Sequence, residues 1–363
     1  MPLKKKEWIV TGLMSGTSLD GLDIATCRFR KSLTGWKYEI VAAETIIYSL
    51  SFKKKLAALM SANAYEYAEF DAFFGKYSGA KVKEFHSKHL IKADLIASHG
   101  HTIFHQPKKG FTSQIGNGAY IFAATGIPTV ADFRSLDVAL GGQGAPLVPI
   151  GDKLLFSEYD FCLNLGGIAN ISFDKSKKRI AGDSCPANIV LNKLAGEIGA
   201  SYDKDGAFAS KGKIDQALLT KFNAISYYKK PFPKSMGKEW IDQDFFPLLN
   251  KSTISTEDKL ATVVEHIAIQ VALLIDVRKS SSLFITGGGA FNKYLIDRIR
   301  ATVGTKVKIV VPDFKMVSYK EALIFAFLGM KRVLGESTAL SSVTGASIDS
   351  VGGALYGNLQ DKN

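Results

Sequence analysis

The fold is decided by a stretch near the start of the chain, Gly12-Leu-Met-Ser-Gly-Thr-Ser-Leu-Asp-Gly21. The apolar residues 8–13 are typical of a strand, and the alternating residues 22–29 are typical of a returning strand. The stretch lacks the Gly-Lys-Ser/Thr ending of a Walker loop and leads into a strand instead of a helix, which argues against a P-loop. The sequence therefore predicts a β-hairpin whose turn is rich in glycine and hydroxyl groups.

The same plan recurs in the middle of the chain. Residues 161–165 predict a strand, Gly166 and Gly167 a turn, and residues 168–173 the returning strand. An internal echo of this kind predicts two similar halves, each built around one hairpin.

Helical patterns separate the hairpins from later strands. After Ser255, which with Asp258 resembles a capping box, apolar residues recur at helical spacing: Leu260, Val263, Val264, Ile267, Val271 and Leu274. Residues 283–286 then predict a strand and residues 287–289 a turn, and the inner face of a following helix is predicted at Phe291, Leu295 and Ile299. Strands mixed with helices in this way indicate an α/β fold.

Size and composition favour a soluble enzyme with two domains. A chain of 363 residues with 46% hydrophobic and 22% charged residues can bury a large core. No low-complexity linker marks a boundary. The pattern predicts an N-terminal lobe of residues 1–130 with about 348–363, and a C-terminal lobe of residues 131–347.

Charge and cysteine content limit the partners and the compartment. The net charge is +12, but the lysines are scattered and form no basic stripe, so we expect no nucleic acid partner. Cys27, Cys162 and Cys185 lack metal-ligand or CxxC spacing, which favours a reducing compartment. The sequence shows neither an apolar leader nor a run of membrane-spanning length, so we expect a cytoplasmic protein without a membrane partner.

The three glycine turns are predicted to bind a nucleotide. Glycines let a backbone come close to a ligand, and N–H groups that point outward from such turns bind phosphates. The predicted set is Gly16, Thr17, Ser18, Leu19, Asp20 and Gly21 in the first turn, Gly166, Gly167 and Asn170 in the second, and Gly287, Gly288, Gly289 and Asn292 in the third. Asp20 is also predicted to hold Mg²⁺ through water. Each turn taken singly is compatible with an ordinary structural turn.

Further motifs follow one another over nearly the whole chain. They are Ser98-His-Gly-His-Thr102, Gln114-Ile-Gly116, Ala131-Asp-Phe-Arg134, Gly141-Gly-Gln-Gly-Ala-Pro-Leu-Val148, Asn164-Leu-Gly-Gly-Ile-Ala-Asn170, Tyr202-Asp-Lys-Asp-Gly206, Pro233-Lys-Ser235, Lys320-Glu-Ala-Leu323 and Ser342-Val-Thr-Gly-Ala-Ser347. With the first glycine stretch, they resemble the motifs of the anhydro-N-acetylmuramic acid kinases, a family of the actin and sugar-kinase superfamily. The resemblance implies a two-lobed, actin-like sugar-kinase fold (a duplicated ribonuclease-H-like fold) with a cleft between the lobes, and it suggests a homodimer.

The resemblance also implies a reaction and the residues that carry it. Members of that family use ATP, Mg²⁺ and water to open 1,6-anhydro-N-acetylmuramic acid and phosphorylate its O6, giving N-acetylmuramic acid 6-phosphate in cell-wall recycling. Asp183, in Gly182-Asp-Ser-Cys-Pro-Ala-Asn188, is matched to the general base, and Glu321 to a catalytic glutamate near the metal-binding end of the nucleotide site. The alternatives are a turn-forming role for Asp183 and a capping box of Ser318 and Glu321 at a helix start.

The same resemblance implies a sugar-side set: Ser15, His99, His101, Asp132, Arg134 and Gln143. Arg134 would bind the lactyl carboxylate through two nitrogens, and His99 would donate to a hydroxyl. A structural salt bridge is the alternative for Arg134. The chain departs from the family at His101 and Cys185, where glutamine and glycine are common, and both departures are expected to adjust substrate contacts.

Two other functions stay open at this point. A kinase for an ordinary hexose, or an acetate-kinase-like phosphotransferase, would use the same fold without water at C1. A catalytically silent chaperone or sugar sensor that depends on a nucleotide is the alternative from another class. The carboxylates of Asp20, Asp183 and Glu321 argue against it, since a sensor could have lost any of them.

Overall fold

The structure is a computed structural model that describes residues 5–275 and 279–359. Its strands are β1 (Glu7–Ser15), β2 (Gly21–Ser32), β3 (Gly35–Ile47), β4 (Leu95–Gln106), β5 (Phe111–Ile115), β6 (Thr129–Ala131), β7 (Phe161–Leu165), β8 (Ile168–Lys175), β9 (Lys178–Pro186), β10 (Ser281–Thr286), β11 (Val307–Val310) and β12 (Ala354–Tyr356). Its α-helices are α1 (Leu50–Ala58), α2 (Ala64–His89), α3 (Gly118–Thr125), α4 (Ser135–Ala139), α5 (Val148–Leu155), α6 (Asn188–Glu197), α7 (Gln216–Asn223), α8 (Lys238–Trp240), α9 (Phe246–Asn250), α10 (Thr256–Ala272), α11 (Lys293–Val303), α12 (Phe314–Val333) and α13 (Ser341–Thr344).

These elements form two compact units, Met1–Leu155 with Tyr319–Asn363, and Phe156–Ser318. The sheet of the first unit has the order β12-β6-β4-β1-β2-β3 with β5 paired to β4, and the sheet of the second has the order β11-β10-β7-β8-β9. In both, a hairpin carries an antiparallel third strand on one side and two parallel strands on the other. The predicted α/β fold and the predicted echo of two halves are confirmed.

The first hairpin forms where the sequence predicts it. Strand β1 pairs antiparallel with β2, so that Ser15 lies opposite Leu22 at the turn. The inward side chains of the hairpin, Leu13 and Ile24, are fully buried with Phe74 of α2 and Ile96 of β4 in one hydrophobic cluster. Each such side chain contributes about 1.5–3 kcal/mol to folding. This cluster fixes the strands that end at the first glycine turn.

Helix α12 lies in direct backbone contact with β1. A Cβ atom at Gly12 would stand 1.9 Å from the carbonyl oxygen of Ala322. Only glycine permits this approach, because backbone atoms cannot give way to a side chain. The contact places Glu321, the neighbour of Ala322, close to the first hairpin.

The predicted capping box of Ser318 and Glu321 is wrong. Helix α12 begins at Phe314, so both residues lie inside it. The side chain of Asp313 caps the first turn instead, accepting the N–H of Met316 at 2.8 Å. Asparagine, aspartate, serine and threonine all serve at this position, and the sequence offers two candidates five residues apart.

The predicted lobe boundaries also need correction. The units divide at Leu155/Phe156 and Ser318/Tyr319 instead of at 130/131 and 347/348. Strand β6, which contains Ala131, pairs in parallel with β4, and β12 pairs with β6. Residues just after 130 therefore belong to the first sheet, and no change of composition marks the true boundaries.

In the second unit the predicted strands and the long helix are confirmed. Strands β7, β8 and β10 cover the predicted segments, and Ser255 caps α10 by accepting the N–H of Asp258 at 3.1 Å. Two predicted helix-face residues are misplaced. Leu274 lies beyond the end of α10, and Phe291 lies in the 3₁₀ turn Gly288–Phe291 with 42% of its surface exposed.

Candidate functional site

The turn of the first hairpin presents donors to solvent. The N–H of Leu19 closes the turn on the carbonyl of Gly16 at 3.2 Å, and Leu19 has a positive φ of 60°. Thr17 and Ser18 are exposed, and within the described residues their backbone N–H groups donate to no protein acceptor. A Cβ atom at Gly16 would meet only the Ser18 hydroxyl, at 3.5 Å. The turn is thus an open cradle of N–H and O–H donors, which suits phosphate oxygens.

Asp23 is a carboxylate beside this turn to which the sequence analysis gave no role. Its Oδ1 accepts the Thr45 hydroxyl at 2.6 Å. Burial raises the pKa of Asp23 to about 6 against that hydrogen bond, and the charges of Glu321 and Asp20 raise it further. Asp20 itself is exposed. The sequence did contain a signal for a role of Asp23, because it stands between the buried residues Leu22 and Ile24 in an otherwise apolar stretch. An acid is seldom placed in such a stretch for packing alone.

Glu321 shares this region of the first unit. Loss of water around the Glu321 carboxyl raises its pKa above the ordinary value, and the positive charges of Arg134 and Lys320 oppose that shift. Its side chain is nevertheless open to solvent. The neighbouring Lys320 forms a buried ion pair with Asp152 of α5 at 2.8 Å, which ties α12 to α5. Asp20, Asp23 and Glu321 are therefore brought together electrostatically, although they are far apart in sequence.

His99 and Arg134 contact each other. The Nε of Arg134 donates to Nε2 of His99 at 3.0 Å, and its NH1 donates to the carbonyl of Gly144 at 2.6 Å. Since Nε2 accepts, Nδ1 of His99 carries the proton and donates to the carbonyl of Gly100 at 3.0 Å. Burial, first, and Arg134, second, hold the pKa of His99 well below its ordinary value. Both ring nitrogens are occupied, so the predicted donation from His99 to a sugar hydroxyl is wrong for this arrangement.

The alternative of a structural salt bridge for Arg134 is not what the structure shows. Within residues 5–275 and 279–359, no carboxylate lies within ion-pair distance of its guanidinium. Burial lowers the pKa of Arg134 to about 10, and the charges of Glu321 and Asp137 oppose that shift. Arg134 thus remains a cation with unused donor positions on its guanidinium.

Ser15 and His101 are buried and contact each other. The Ser15 hydroxyl lies 3.0 Å from Nδ1 of His101 and 2.8 Å from the Tyr48 hydroxyl. Both residues are at most 4% exposed. Burial lowers the pKa of His101, so the ring is neutral near pH 7. Their predicted contact with a substrate stays a prediction. The histidine that replaces the family's usual glutamine at position 101 contacts Ser15 within the fold.

The loop that carries Gln143 is organised by Asp137, a fully buried acid without a predicted role. Its Oδ2 accepts the N–H of Gly144 at 2.7 Å, and its Oδ1 accepts the Thr344 hydroxyl at 2.7 Å. Gln143 is exposed, with its backbone N–H donating to the carbonyl of Thr344 at 2.8 Å. The loop therefore presents the Gln143 side chain while its backbone is fixed.

Asp132 lies in the same strand-to-helix connection as Arg134. It is exposed, has a positive φ of 57°, and accepts the N–H of Ser135 at 3.2 Å. A non-glycine residue in this conformation is uncommon, and aspartate tolerates it better than most. Its predicted substrate contact stays a prediction.

In the second unit the second and third glycine turns lie together. A Cβ at Gly287, whose φ is 82°, would stand 2.5 Å from Oδ1 of Asn164, and one at Gly289 would stand 2.7 Å from Cβ of Leu165. The carbonyls of Gly166 and Gly167 accept N–H groups from the start of α6. Within the described part of the chain, the N–H groups of Gly166 and Gly167 donate to no protein acceptor. A second cradle of amides results.

A pocket of about 420 Å³ opens beside the third turn. It contains three predicted ATP residues, Gly288, Gly289 and Asn292, and its other lining residues are Asn188, Leu191, Asn192, Tyr202, Asp203, Lys204, Asp205 and Phe291. The motif from Tyr202 to Gly206 had no predicted role. Asn292 also caps α11 through its Oδ1, which accepts the N–H of Leu295 at 3.0 Å. The pocket combines apolar walls with polar groups, as small-molecule sites do.

Asp183 lies on β9, opposite Asn170 of β8. Its Oδ2 accepts the N–H of Met236 at 2.8 Å, and its backbone N–H donates to the carbonyl of Lys234 at 2.9 Å. Burial raises the pKa of Asp183 to about 6, and the Met236 N–H opposes that shift. The side chain is half-buried in a strand, so the alternative of a turn-forming aspartate is wrong.

Cys185 does not face a substrate. Its side chain is fully buried in the hydrophobic core of the second unit, and burial raises the pKa of its thiol to about 12. The expectation that this departure adjusts substrate contacts directly is therefore wrong. Strand alternation gave no signal for this, because Asp183 and Cys185 are two positions apart and a regular strand would place them on the same face, whereas β9 has a bulge between them.

The model for the family described as anhydro-N-acetylmuramic acid kinase matches residues 8–358. The chain belongs to this family. It is similar to the anhydro-N-acetylmuramic acid kinase of Hydrogenovibrio crunogenus, with 36% identity over 366 residues that cover 95% of this chain and 97% of the relative. It is also similar to that of Pseudomonas syringae pv. tomato, with 34% identity over 371 residues that cover 96% of this chain and 99% of the relative. The protein is thus a carbohydrate kinase.

A kinase of this family takes its phosphoryl group from ATP, and the described residues fit that ligand. Two sets of unpaired amides, at Thr17 and Ser18 and at Gly166 and Gly167, match phosphate oxygens. Asp20 and Asp23 carry carboxylate oxygens, which are the kind of donor that Mg²⁺ prefers. In the described residues no cluster of three or more His, Cys, Asp or Glu is arranged to hold a metal directly, and none of the helices is long and apolar enough to cross a bilayer.

Proposed function

We propose that this kinase uses ATP and water to convert 1,6-anhydro-N-acetylmuramic acid to N-acetylmuramic acid 6-phosphate and ADP, in the recycling of the cell wall. The oxygen of water attacks C1 of the sugar, and the bond between C1 and O6 breaks. O6 takes the γ-phosphoryl group of ATP, and the proton of the attacking water passes to a general base. One substrate thus undergoes hydrolysis and phosphorylation together.

The observation that carries this proposal is the carboxylate of Asp183, with its pKa of about 6. A base works best when its pKa lies just below the working pH, since it is then ionised and still takes a proton readily. An ordinary aspartate, with a pKa of 3.8, would be a weaker base. The Met236 N–H fixes Oδ2, which leaves Oδ1 to receive the proton.

In each unit taken by itself, the amide cradle is proposed to bind phosphate oxygens, and the pocket of the second unit beside Gly288 and Gly289 is proposed to bind the nucleoside of ATP. A bound Mg²⁺ would neutralise charge on the phosphates, and Asp20 and Asp23 would hold it through water. The exposed carboxylate of Glu321 is proposed as the further catalytic acid group near that metal.

The sugar side is proposed to use Arg134, Asp132 and Gln143, with Ser15, His101 and His99 supporting it. Arg134 retains donors for the lactyl carboxylate after its contacts with His99 and Gly144. His99 orients Arg134 instead of touching the sugar. We also propose that the protein is cytoplasmic and forms a homodimer. Light scattering of the purified protein would test the dimer.

The test is mass spectrometry of the products formed with ATP, Mg²⁺ and 1,6-anhydro-N-acetylmuramic acid in ¹⁸O-water. We expect a 6-phosphate sugar with one solvent oxygen at C1, which Asp183→Asn does not form. The matched control is Asp297→Asn, which removes an acid of α11 whose side chain is 66% exposed, and it should keep full activity.

Two results would contradict the proposal. Phosphorylation of an ordinary hexose without solvent oxygen at C1 would make the chain another sugar kinase. Binding of ATP with no product from either sugar would favour a sensor. In wild-type enzyme, kcat/KM should also fall as the pH drops below about 6, because protonated Asp183 cannot accept a proton.

A further inference from the structure

Asp183 is held by the segment of residues 227–236, which contacts both its carboxylate and its backbone. Three contacts join them: the N–H of Met236 to Oδ2, the N–H of Asp183 to the carbonyl of Lys234, and the Tyr227 hydroxyl to the Asp183 carbonyl at 3.2 Å. The segment also packs on β9 itself, since a Cβ at Gly182 would stand 2.5 Å from the Lys234 carbonyl oxygen. A shift of this segment would move Asp183.

The segment is in turn anchored to α10 by a buried hydrogen-bond network. Oδ1 of Asn223 accepts from Nε2 of Gln270 at 3.0 Å and lies 2.7 Å from Nδ1 of His266. Because Oδ1 can only accept, Nδ1 of His266 carries the proton and Nε2 is an acceptor. The Tyr228 hydroxyl, 2.8 Å from Nε2, therefore donates to it. Every member has one defined role.

The network is fully buried at its centre and does not titrate near neutral pH. His266 has no exposed surface, and it is enclosed by the rings of Phe222, Phe245 and Tyr228. Burial lowers the pKa of His266 to about 3 and raises that of Tyr228 far above its ordinary value. A buried network with every partner satisfied rigidifies what it holds, whereas a broken one leaves costly unpaired groups.

We propose that Tyr228, His266 and Asn223 are positioning residues for the catalytic base: they fix residues 227–236, and that segment fixes the orientation of the Asp183 carboxylate. The inference rests on the proposed function, in which Asp183 is the base. It assigns a catalytic consequence to residues that act through Asp183. A small displacement of a catalytic group is costly, because reactivity depends on near-attack geometry.

Tyr228→Phe is the sharpest variant, because it removes one oxygen and keeps the ring. We expect kcat to fall roughly tenfold with little change in KM for either substrate. We also expect the acid limb of the kcat/KM profile to move to higher pH, since a loosened Met236 N–H no longer lowers the pKa of Asp183.

A shift of the acid limb can be assigned because the titratable neighbours of Asp183 do not change their charge across it. Tyr227 and Cys185 interact electrostatically with Asp183, and burial raises the pKa of both, that of Cys185 to about 12. Lys234, the charged group of the segment, is unchanged in every variant. Asp23 also has a pKa of about 6, but it lies in the first unit and is hydrogen-bonded to Thr45, so a shift of the limb in Tyr228→Phe reports Asp183.

The matched control is Val303→Ala, a truncation of a buried apolar residue at the end of α11, which is not a member of the hydrogen-bond network. It should lower the melting temperature while kcat and the acid limb stay as in wild type. If Tyr228→Phe does not fold, Asn223→Ala breaks the other end of the network and is judged by the same two quantities.

The outcomes separate the two proposals. If Tyr228→Phe loses stability like Val303→Ala but keeps the wild-type acid limb, or keeps both kcat and the limb, the positioning role is refuted while Asp183 remains the base. If Asp183→Asn keeps wild-type turnover, the proposed function itself fails.

Discussion

The two hairpins share a strand order but differ in where their acids lie. Around β1 and β2, the carboxylates of Asp20 and Asp23 belong to the turn and the returning strand, and α12 packs directly on Gly12. Around β7 and β8, the turn carries no acid, and Asp183 stands on the third strand. The same strand order thus places its acids differently in the two units, and the roles we propose for them differ accordingly: oxygen donors for a metal in the first unit, and a general base in the second.

The largest expected effect separates the two kinds of acid. Asp183→Asn should lower kcat by about 10²–10⁴-fold, the usual contribution of a general base. Asp23→Asn should lower it far less at saturating Mg²⁺. Steady-state kinetics of both variants measure the difference, and equal losses would show that the acids are not divided in function.

The second prediction compares the glycines of the two hairpins. Gly12→Ala should destabilise the protein by about 1–3 kcal/mol, because its Cβ would meet the backbone of Ala322. Gly167→Ala should change stability by no more than about 0.5 kcal/mol, since its Cβ would meet only Ile189, at 3.9 Å. It should instead weaken binding of a non-hydrolysable ATP analogue. Urea denaturation and calorimetric titration measure these two effects, and the reverse pattern would contradict the assignment.

The third prediction concerns the metal. Asp23→Asn should raise the Mg²⁺ concentration for half-maximal activity by about tenfold, as loss of an outer-shell group does. Glu39→Gln is the control, because Glu39 is an exposed acid of β3 paired with Arg28 at the surface. An unchanged Mg²⁺ requirement would remove Asp23 from the proposed metal site.

The smallest effect is on stability. Because the folded-state pKa of Asp183 lies near 6 and its ordinary value is 3.8, the folded state binds the proton more tightly, and stability falls as the pH rises between these values. The difference in the free energy of unfolding between Asp183→Asn and wild type should therefore increase, in favour of the variant, by about 1 kcal/mol from pH 4 to pH 8, after allowance for solvent exposure. Melting curves at both pH values measure it. A gain at pH 4 alone would have the wrong sign.

Local patterns predicted the elements, and long-range contacts account for what they missed. The strands beside Gly16 and Gly166 follow from alternation and glycine, which are visible in a few residues. The start of α12 at Phe314, the pairing of β6 with β4, and the burial of Cys185 depend on residues far away in the chain. Both ring nitrogens of His99 are likewise hydrogen-bonded, to Gly100 and Arg134, which no sequence spacing predicts.

The site shows the same division. The glycine turns and Asp183 could be proposed from the sequence because their motifs are contiguous. Asp23, Asp137 and the network around His266 were not, because each acquires its role from a partner more than 20 residues away, such as Thr45, Thr344 or Tyr228.

The first unit is built from both ends of the chain. Its sheet needs β12, and its hairpin needs α12, so residues after 318 must be synthesised before either contact exists. The second unit is continuous, from Phe156 to Ser318. Since domains fold as units while the chain emerges, the half that leaves the ribosome first is the half completed last. Until then its unpaired strand edges are exposed to aggregation, and chaperones must protect them.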